Sequence, residues 1–424
     1  MRSVVLPLLG PLTAVILLVG AVRSADIEFN VRTLDLGANE ACAFADINRD
    51  GRLDVISGEN WYEAPSWRKH RFRELGFTNN YIDDFSDLPV DVNGDAYPDI
   101  VSVTWFARKI SWWKNPAKSG GQWTEAAMDS GSSIEFAILA DLDNDGKALE
   151  VLPQPASGPQ VWYQVKDGGW LKHVVSPQVY GHGIGAGDVN GDRRSDILTP
   201  QGWLEAPSDP RAGYWKLHPD WSEKDLGFMH VVDVNGDGRN DVVTSYAHNY
   251  GIFWMEQGEG GKWTKREIDN SWSQPHAVTL IDLNGDGRMD ILTGKRYMAH
   301  NGADPGEREP LGVYWYESAR QPNGAVNWVR HVIEYGGRIG GGMQIPAADL
   351  DGDGDIDFAC PGKSGLFLFE NLTKKPGAGR SVAKKSGDTP GWAQKLLPLQ
   401  RNAGVSPDFF AAPEGAAPLS ESQM

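Results

Sequence analysis

One acidic pattern recurs seven times in this 424-residue chain, and nothing else in the sequence so narrows what it can fold into. It begins with DINRDGRLD, whose oxygen donors are Asp46, Asn48, Asp50 and Asp54. DVNGDAYPD follows (Asp91, Asn93, Asp95, Asp99), then DLDNDGKALE (Asp141, Asp143, Asp145, Glu150) and DVNGDRRSD (Asp188, Asn190, Asp192, Asp196). The series ends with DVNGDGRND (Asp233, Asn235, Asp237, Asp241), DLNGDGRMD (Asp282, Asn284, Asp286, Asp290) and DLDGDGDID (Asp349, Asp351, Asp353, Asp357). The first residues are 45, 50, 47, 45, 49 and 67 apart. A period near that length marks a propeller or solenoid, whose repeats cannot bury their apolar faces alone.

Each loop sits between two apolar runs, such as MHVV before and DVVTS after. An aromatic segment comes next (NWYEAP, ISWWKNP, VWYQV, GWLEAP, GIFWMEQ, VYWYES, LFLFEN), and six repeats add a fourth segment of the type WTKREID. Four short, aromatic-rich strands per repeat predict a propeller blade. The chain should therefore be an all-β, seven-bladed propeller over residues 26–373, with four antiparallel strands per blade. The 17 tryptophans then serve packing between blades. The last repeat lacks its fourth strand, and FNVRTLD (29–35) matches WTKREID (263–269), so the N-terminal strand is expected to close the ring and remove the open sheet edge.

Carboxylates and amides at loop positions one, three, five and nine form a hard-oxygen set suited to Ca²⁺. An EF-hand would need a helix and a glutamate at position twelve, but Ser57 and Thr244 stand there and strands follow. The loops at 46, 233, 282 and 349 are complete and carry glycine at position six, where the backbone turns. Ala96 and Arg193 replace that glycine, and Glu150 the last Asp, in three of the others. The ions are expected to be structural, bracing turns remote from any chemistry. This D-x-[DN]-x-D-G-x-x-D loop between strands resembles the FG-GAP/VCBS repeat propellers, a class that includes the integrin α head. The resemblance implies seven blades with Ca²⁺ loops on one face.

The loops also act as a ruler. Six residues before each lies the opposite mouth of the channel, and the register reads Glu40, Phe85, Glu135, His182, Gly227, His276 and Met343. The next strand climbs back to that mouth, where its exits offer Trp105, His248, Asn249, Tyr250, Lys295, Arg296 and Lys363. The long final gap adds GKRYMAHNGADPGEREP, with His300, Asn301, Asp304 and Glu307. His70, His173, His218 and His331 belong to outer strands and are read as structural; His230 lies in an inner strand and is ambiguous. A mouth of carboxylates, imidazoles and exposed aromatics suits a small polyhydroxylated or acidic ligand, and two His with two Glu could hold a second divalent cation if they converge. Polar residues line any water-filled channel, and that is the plainer reading.

NEACAFADIN, GHGIGAGDVNGD, QGWLEAP, YAHNYGIFWMEQ and TGKRYMAHNGADPGE look like exported bacterial VCBS propellers and the propeller domain of aldos-2-ulose dehydratase. That resemblance implies metal-assisted loss of water from a keto-sugar, with His182, His276, His248, Lys295, Arg296 and His300 as candidate catalytic residues. Glu40, Glu135, Asn249, Tyr250, Trp105 and Lys363 are the matching ligand-binding candidates. The dehydratase carries further cupin-type domains that this sequence does not show.

Residues 1–24 read as a secretory signal peptide, with Arg2, an apolar stretch and small residues at the exit, so a secreted or periplasmic location is expected. Residues 374–424, rich in Pro, Ala, Gly and Ser, are expected to be a disordered tail. With 57 Asp+Glu against 40 Lys+Arg, the formal charge of −17 argues against nucleic acid as a partner. No further apolar run is long enough for membrane insertion after the leader. Cys42 and Cys360 are too few to staple the chain and are read as small buried residues. Three functions stay open: a carbohydrate-binding propeller, a sugar dehydratase or lyase, and a protein-adhesion module. No nucleophile elbow and no phosphate-cradling glycine loop is present.

Overall fold

Short β-branched and aromatic runs bounded by glycine-rich turns give strands throughout, and each repeat becomes an antiparallel meander. The computed structural model describes residues 27–321 and 324–374. In the first repeat, Ala43–Ala45, Asp54–Ser57, Asn60–Glu63 and Arg68–Arg71 pair in sequence order. Four further four-stranded sheets repeat the arrangement, and one sheet has eight strands. The described residues otherwise hold a single short hairpin (Phe77–Thr78 with Tyr81–Ile82) and two 3-10 turns. The fold is an all-β propeller. The expected leader lies outside the described residues, as does the expected tail beyond Lys374.

The expectation of seven separate blades needs correction, because only five four-stranded blades stand alone. The fourth and fifth repeats are joined by parallel pairing of Ile184–Gly187 with Phe228–Val232. Glycine permits the junction. A Cβ on Gly185 would lie 2.1 Å from the Met229 carbonyl oxygen, and one on Gly187 would lie 2.7 Å from the Val231 side chain. Bare backbone therefore approaches closely enough for the two meanders to share a ladder.

Phe29–Asp35 pairs antiparallel with Gly365–Asn371 and supplies the outer strand of the last sheet. Phe29 packs edge-on to Phe358 and Phe369, so apolar burial as well as main-chain bonding holds the two ends of the repeat array together. Around the outside, Trp61, Trp162, Trp203 and Trp315 stack on the cross-strand partners His70, His173, His218 and His331 at 4.1–4.2 Å between ring centres. Three of these imidazoles also meet Glu63, Glu205 and Glu317, two residues beyond the tryptophan.

Between the first two repeats lies a buried ion triad. Arg73 Nη2 donates to Asp84 Oδ2 at 2.8 Å and to Asp87 Oδ2 at 2.9 Å, and Nε donates to the Gly58 carbonyl at 2.7 Å. One guanidinium against two carboxylates leaves surplus negative charge. Burial accordingly pushes the Asp84 carboxyl well above its ordinary range; Arg73 opposes the rise and Asp87 adds to it. A carboxyl raised by folding contributes its full stability below its unfolded pKa near 3.8, and that contribution drains away as pH climbs toward the folded value. Asp84→Asn, neutral at every pH, should thus gain on the native protein as pH rises above that unfolded value, read as a lead in melting temperature that widens with pH. A lead that shrinks with rising pH would refute the assignment.

Candidate functional site

The acidic loops fold on themselves. In the first, Asp46 Oδ1 and Oδ2 accept the backbone N–H groups of Asp50 and Gly51, Asn48 Oδ1 accepts that of Asp50, and Asp50 Oδ1 accepts that of Arg52, all at 2.9 Å. Position six takes positive φ in every loop, including Ala96 (71°) and Arg193 (70°), which hold the left-handed turn without being glycine. Asp141, Asp143 and Glu150 bring their oxygens within 4.8 Å of one another, as do Asp349, Asp351 and Asp353.

The closing carboxylate has a task the sequence did not indicate. Asp54 is buried, and its two oxygens accept the N–H groups of Ile47 at 3.0 Å and Ala64 at 2.9 Å. Asp99, Asp196, Asp241, Asp290 and Asp357 repeat this double acceptance, and Glu150 accepts the N–H of Leu142. Position nine opens the next strand, so its side chain turns into the blade and latches loop to strand. Positions one, three and five supply the other oxygens of each loop's set.

At the other end of the inner strands, side chains from distant repeats converge. Glu135 stands at the centre: Oε2 is 2.9 Å from His182 Nε2, while Oε1 is 3.2 Å from His276 Nε2 and accepts Arg296 Nη1 at 2.7 Å. His248 Nε2 lies 3.2 Å from His182 Nε2. One ligand atom from each of Glu135, His182, His248 and His276 falls within 4.8 Å of the others. Arg296, fully buried, also reaches Glu40 Oε2 at 3.2 Å and lies against the Tyr81 and Phe85 rings.

Burial alone would push the Glu135 carboxyl up, yet His182, His276 and Arg296 together hold it well below the ordinary carboxylate range. Burial pushes His276 well down, helped by Arg296, and pushes His248 down, so both imidazoles are neutral at neutral pH. His182 is different. Its Nδ1 donates to the Leu226 carbonyl at 2.8 Å while Nε2 faces a carboxylate, and Glu135 lifts its pKa against the effect of burial. A ring with acceptors at both nitrogens calls for positive charge, either as a second proton or as a cation beyond Nε2.

The other mouth candidates divide. His300 Nδ1 donates to Asp304, 2.9 Å from each oxygen, and its ring lies 4.4 Å from that of His248. Lys363 donates to the Met298 carbonyl and holds its ammonium 3.5 Å from the Tyr81 ring centre; burial pushes its pKa down to about 8. Lys295 is not brought to the cluster: its Nζ donates to Ser273 Oγ at 2.6 Å and to the Gly306 carbonyl at 2.8 Å. Tyr250 bonds Glu309, Asn249 accepts the Tyr250 N–H, and Trp105 is tied through its backbone to Asp83, so these three frame the rim. Tyr81 was missed by the register, because its hairpin lies outside the repeat.

An FG-GAP-like repeat model matches residues 91–152 and 233–293, which contain the second, third, fifth and sixth acidic loops. No curated protein matches the chain. Among solved structures, BBS1N in complex with ARL6DN is similar at 9% identity over 83% of this chain and 98% of that one, with a TM-score of 0.53. A second structure of that complex gives 10% identity over 84% and 100%, with a TM-score of 0.52. A lectin from Agrocybe aegerita, described as recognising non-reducing terminal N-acetylglucosamine, matches at 15% identity over 70% of this chain and 81% of that one, with a TM-score of 0.43. These likenesses concern the fold. Among the described residues no helix is long and apolar enough to cross a membrane.

Proposed function

We propose that this chain is an exported, calcium-braced propeller of seven repeats whose mouth opposite the acidic loops binds a small polar ligand, with carbohydrate the leading class. In this reading a divalent transition metal sits among His182, His248, His276 and Glu135. The observation carrying the proposal is the convergence of three imidazoles and a carboxylate from four different repeats.

The donor set fits such an ion. Ligands bonded at about 2.0–2.1 Å in a tetrahedron stand roughly 3.3 Å apart, and the contacts here are 2.9 Å from His182 to Glu135 Oε2, 3.2 Å from His276 to Oε1, 3.2 Å between His182 and His248, and 4.0 Å from His248 to Oε1. Nitrogen-rich donors favour zinc and its neighbours over Ca²⁺, which suits the all-oxygen loops on the other face. Leu226 fixes the His182 tautomer and Arg296 orients Glu135, as outer-shell partners of metal ligands do.

A bound ion would polarise a carbonyl or hydroxyl oxygen of the ligand. Lys363, with a pKa near 8, can take up or release a proton close to neutral pH. That amine favours a second reading, a sugar dehydratase or lyase. Calorimetry with plain glycans and keto-sugars, run beside ultraviolet detection of an enone product, separates the two. Binding without product supports the lectin-like reading, and product that disappears in His182→Ala supports the lyase. His182→Ala should weaken ligand binding at least about tenfold on either reading, through loss of the ion. Failure of both ligand classes to bind would overturn the proposal in favour of a protein ligand on the rim loops.

A further inference from the structure

The segment from Arg296 to Leu311 lengthens the last repeat interval to 67 residues, and it is unusually well tied down for a loop. Buried Lys295 bonds the Gly306 carbonyl, the Glu307 carboxylate accepts the N–H groups of His300 and Asp304, and Tyr250 bonds Glu309. Within this braced loop Asp304 faces His248. Its Oδ2 lies 3.2 Å from His248 Nδ1, and the same carboxylate accepts from His300 and from Gln274 Nε2 at 3.4 Å.

We infer that Asp304 is the positioning residue for His248, holding that imidazole with its proton on Nδ1 and its Nε2 lone pair turned into the cluster. The inference rests on the metal reading above and adds to it a task for the inserted loop. His182 receives the same service from the Leu226 carbonyl, a fixed acceptor of its own neighbourhood. No inner-strand carbonyl performs it for His248: its buried Nδ1 has no aligned hydrogen-bond partner among the described residues, and the Asp304 carboxylate 3.2 Å away is the acceptor a small rotation of the ring would engage. A carboxylate behind a ligating histidine fixes its tautomer and raises its basicity, and losing one typically lowers metal affinity about 10–100-fold. His300 acts one step further out, its ring tilted 31° against that of His248 and its Nδ1 holding Asp304 from the solvent side.

The test titrates the full chain, kept in Ca²⁺, with Zn²⁺ against a competing chelator and with Co²⁺ followed by its visible spectrum. Asp304→Ala should bind one Zn²⁺ about 10–100-fold more weakly with an altered Co²⁺ band, and Asp304→Asn, whose amide oxygen can accept the same bond, should recover most of the affinity. The metal-free melting temperature should change little in either variant. Unchanged affinity in Asp304→Ala would overturn the assignment while leaving the mouth metal intact. So would a second equivalent of Zn²⁺ lost in both Asp304→Ala and His300→Ala, which would make these residues ligands of their own ion. A native chain that takes up no Zn²⁺ sensitive to His182→Ala would remove both readings.

Discussion

Removing Ca²⁺ with EGTA should lower the melting temperature by on the order of 20 °C, and restoring Ca²⁺ should recover it. The size follows from linkage. At free ion a hundred times the dissociation constant, each occupied loop adds about 2.7 kcal/mol. Four loops with complete oxygen sets would together supply about as much as the whole stability of an ordinary domain, roughly 5–15 kcal/mol. The loops keep their shape through their own main-chain bonds, with Asp46, Asn48 and Asp50 all accepting backbone N–H groups, so removal of the ion should not unravel the turn locally. It should leave the carboxylates at positions one and five facing each other without a counter-charge, joined in the last loop by Asp351 at position three, a repulsion repeated around one face. Calorimetry of the chain with EGTA, with Ca²⁺ and with Mg²⁺ settles the matter. An unchanged transition in EGTA would refute structural calcium.

The fold was legible because the acidic loops mark register. Strand geometry then places residues at a fixed count from each loop, which is how Glu40, Glu135, His182 and His276 were found on one mouth although 236 positions separate the first from the last. The ruler failed where geometry departs from the repeat. Adjacent residues leaving a strand point opposite ways, so Lys295 and Arg296 could not both enter the cluster. Arg296 meets Glu40 and Glu135, whereas Lys295 turns away to Ser273 and Gly306. Tyr81 sits on a hairpin that belongs to no repeat position. The closing carboxylates look like ligands alone in a one-dimensional pattern, and only their bonds to the N–H groups of Ile47 and Ala64 show that Asp54 also latches loop to strand. The joining of two blades was hidden for a related reason. GIGAG reads as an ordinary inner strand until the distance from Gly185 to Met229 is known.

Glu135→Ala should be the most damaging single substitution at the mouth, destabilising the chain by about 3–5 kcal/mol in addition to abolishing metal uptake there. The carboxylate is buried and serves three partners at once: Arg296 at 2.7 Å, His182 at 2.9 Å and His276 at 3.2 Å. Removing it leaves the Arg296 guanidinium with only Glu40 as a neighbouring carboxylate, in a setting where Arg296 Nη2 already lacks a partner among the described residues. It also withdraws the acceptor that allows His182 to carry charge, so the ring must become neutral or expel its Nε2 toward solvent. Glu135→Gln separates the two roles. The amide keeps the volume and one acceptor oxygen, so its cost to folding should fall to roughly 1–2 kcal/mol, while a neutral amide in place of a carboxylate should still weaken Zn²⁺ binding strongly. Urea denaturation in excess Ca²⁺ reads the first effect and Zn²⁺ titration the second. If Glu135→Ala unfolds at the native urea midpoint, the network around this carboxylate does not hold the inner ends of the repeats together, and the central role given to it is wrong.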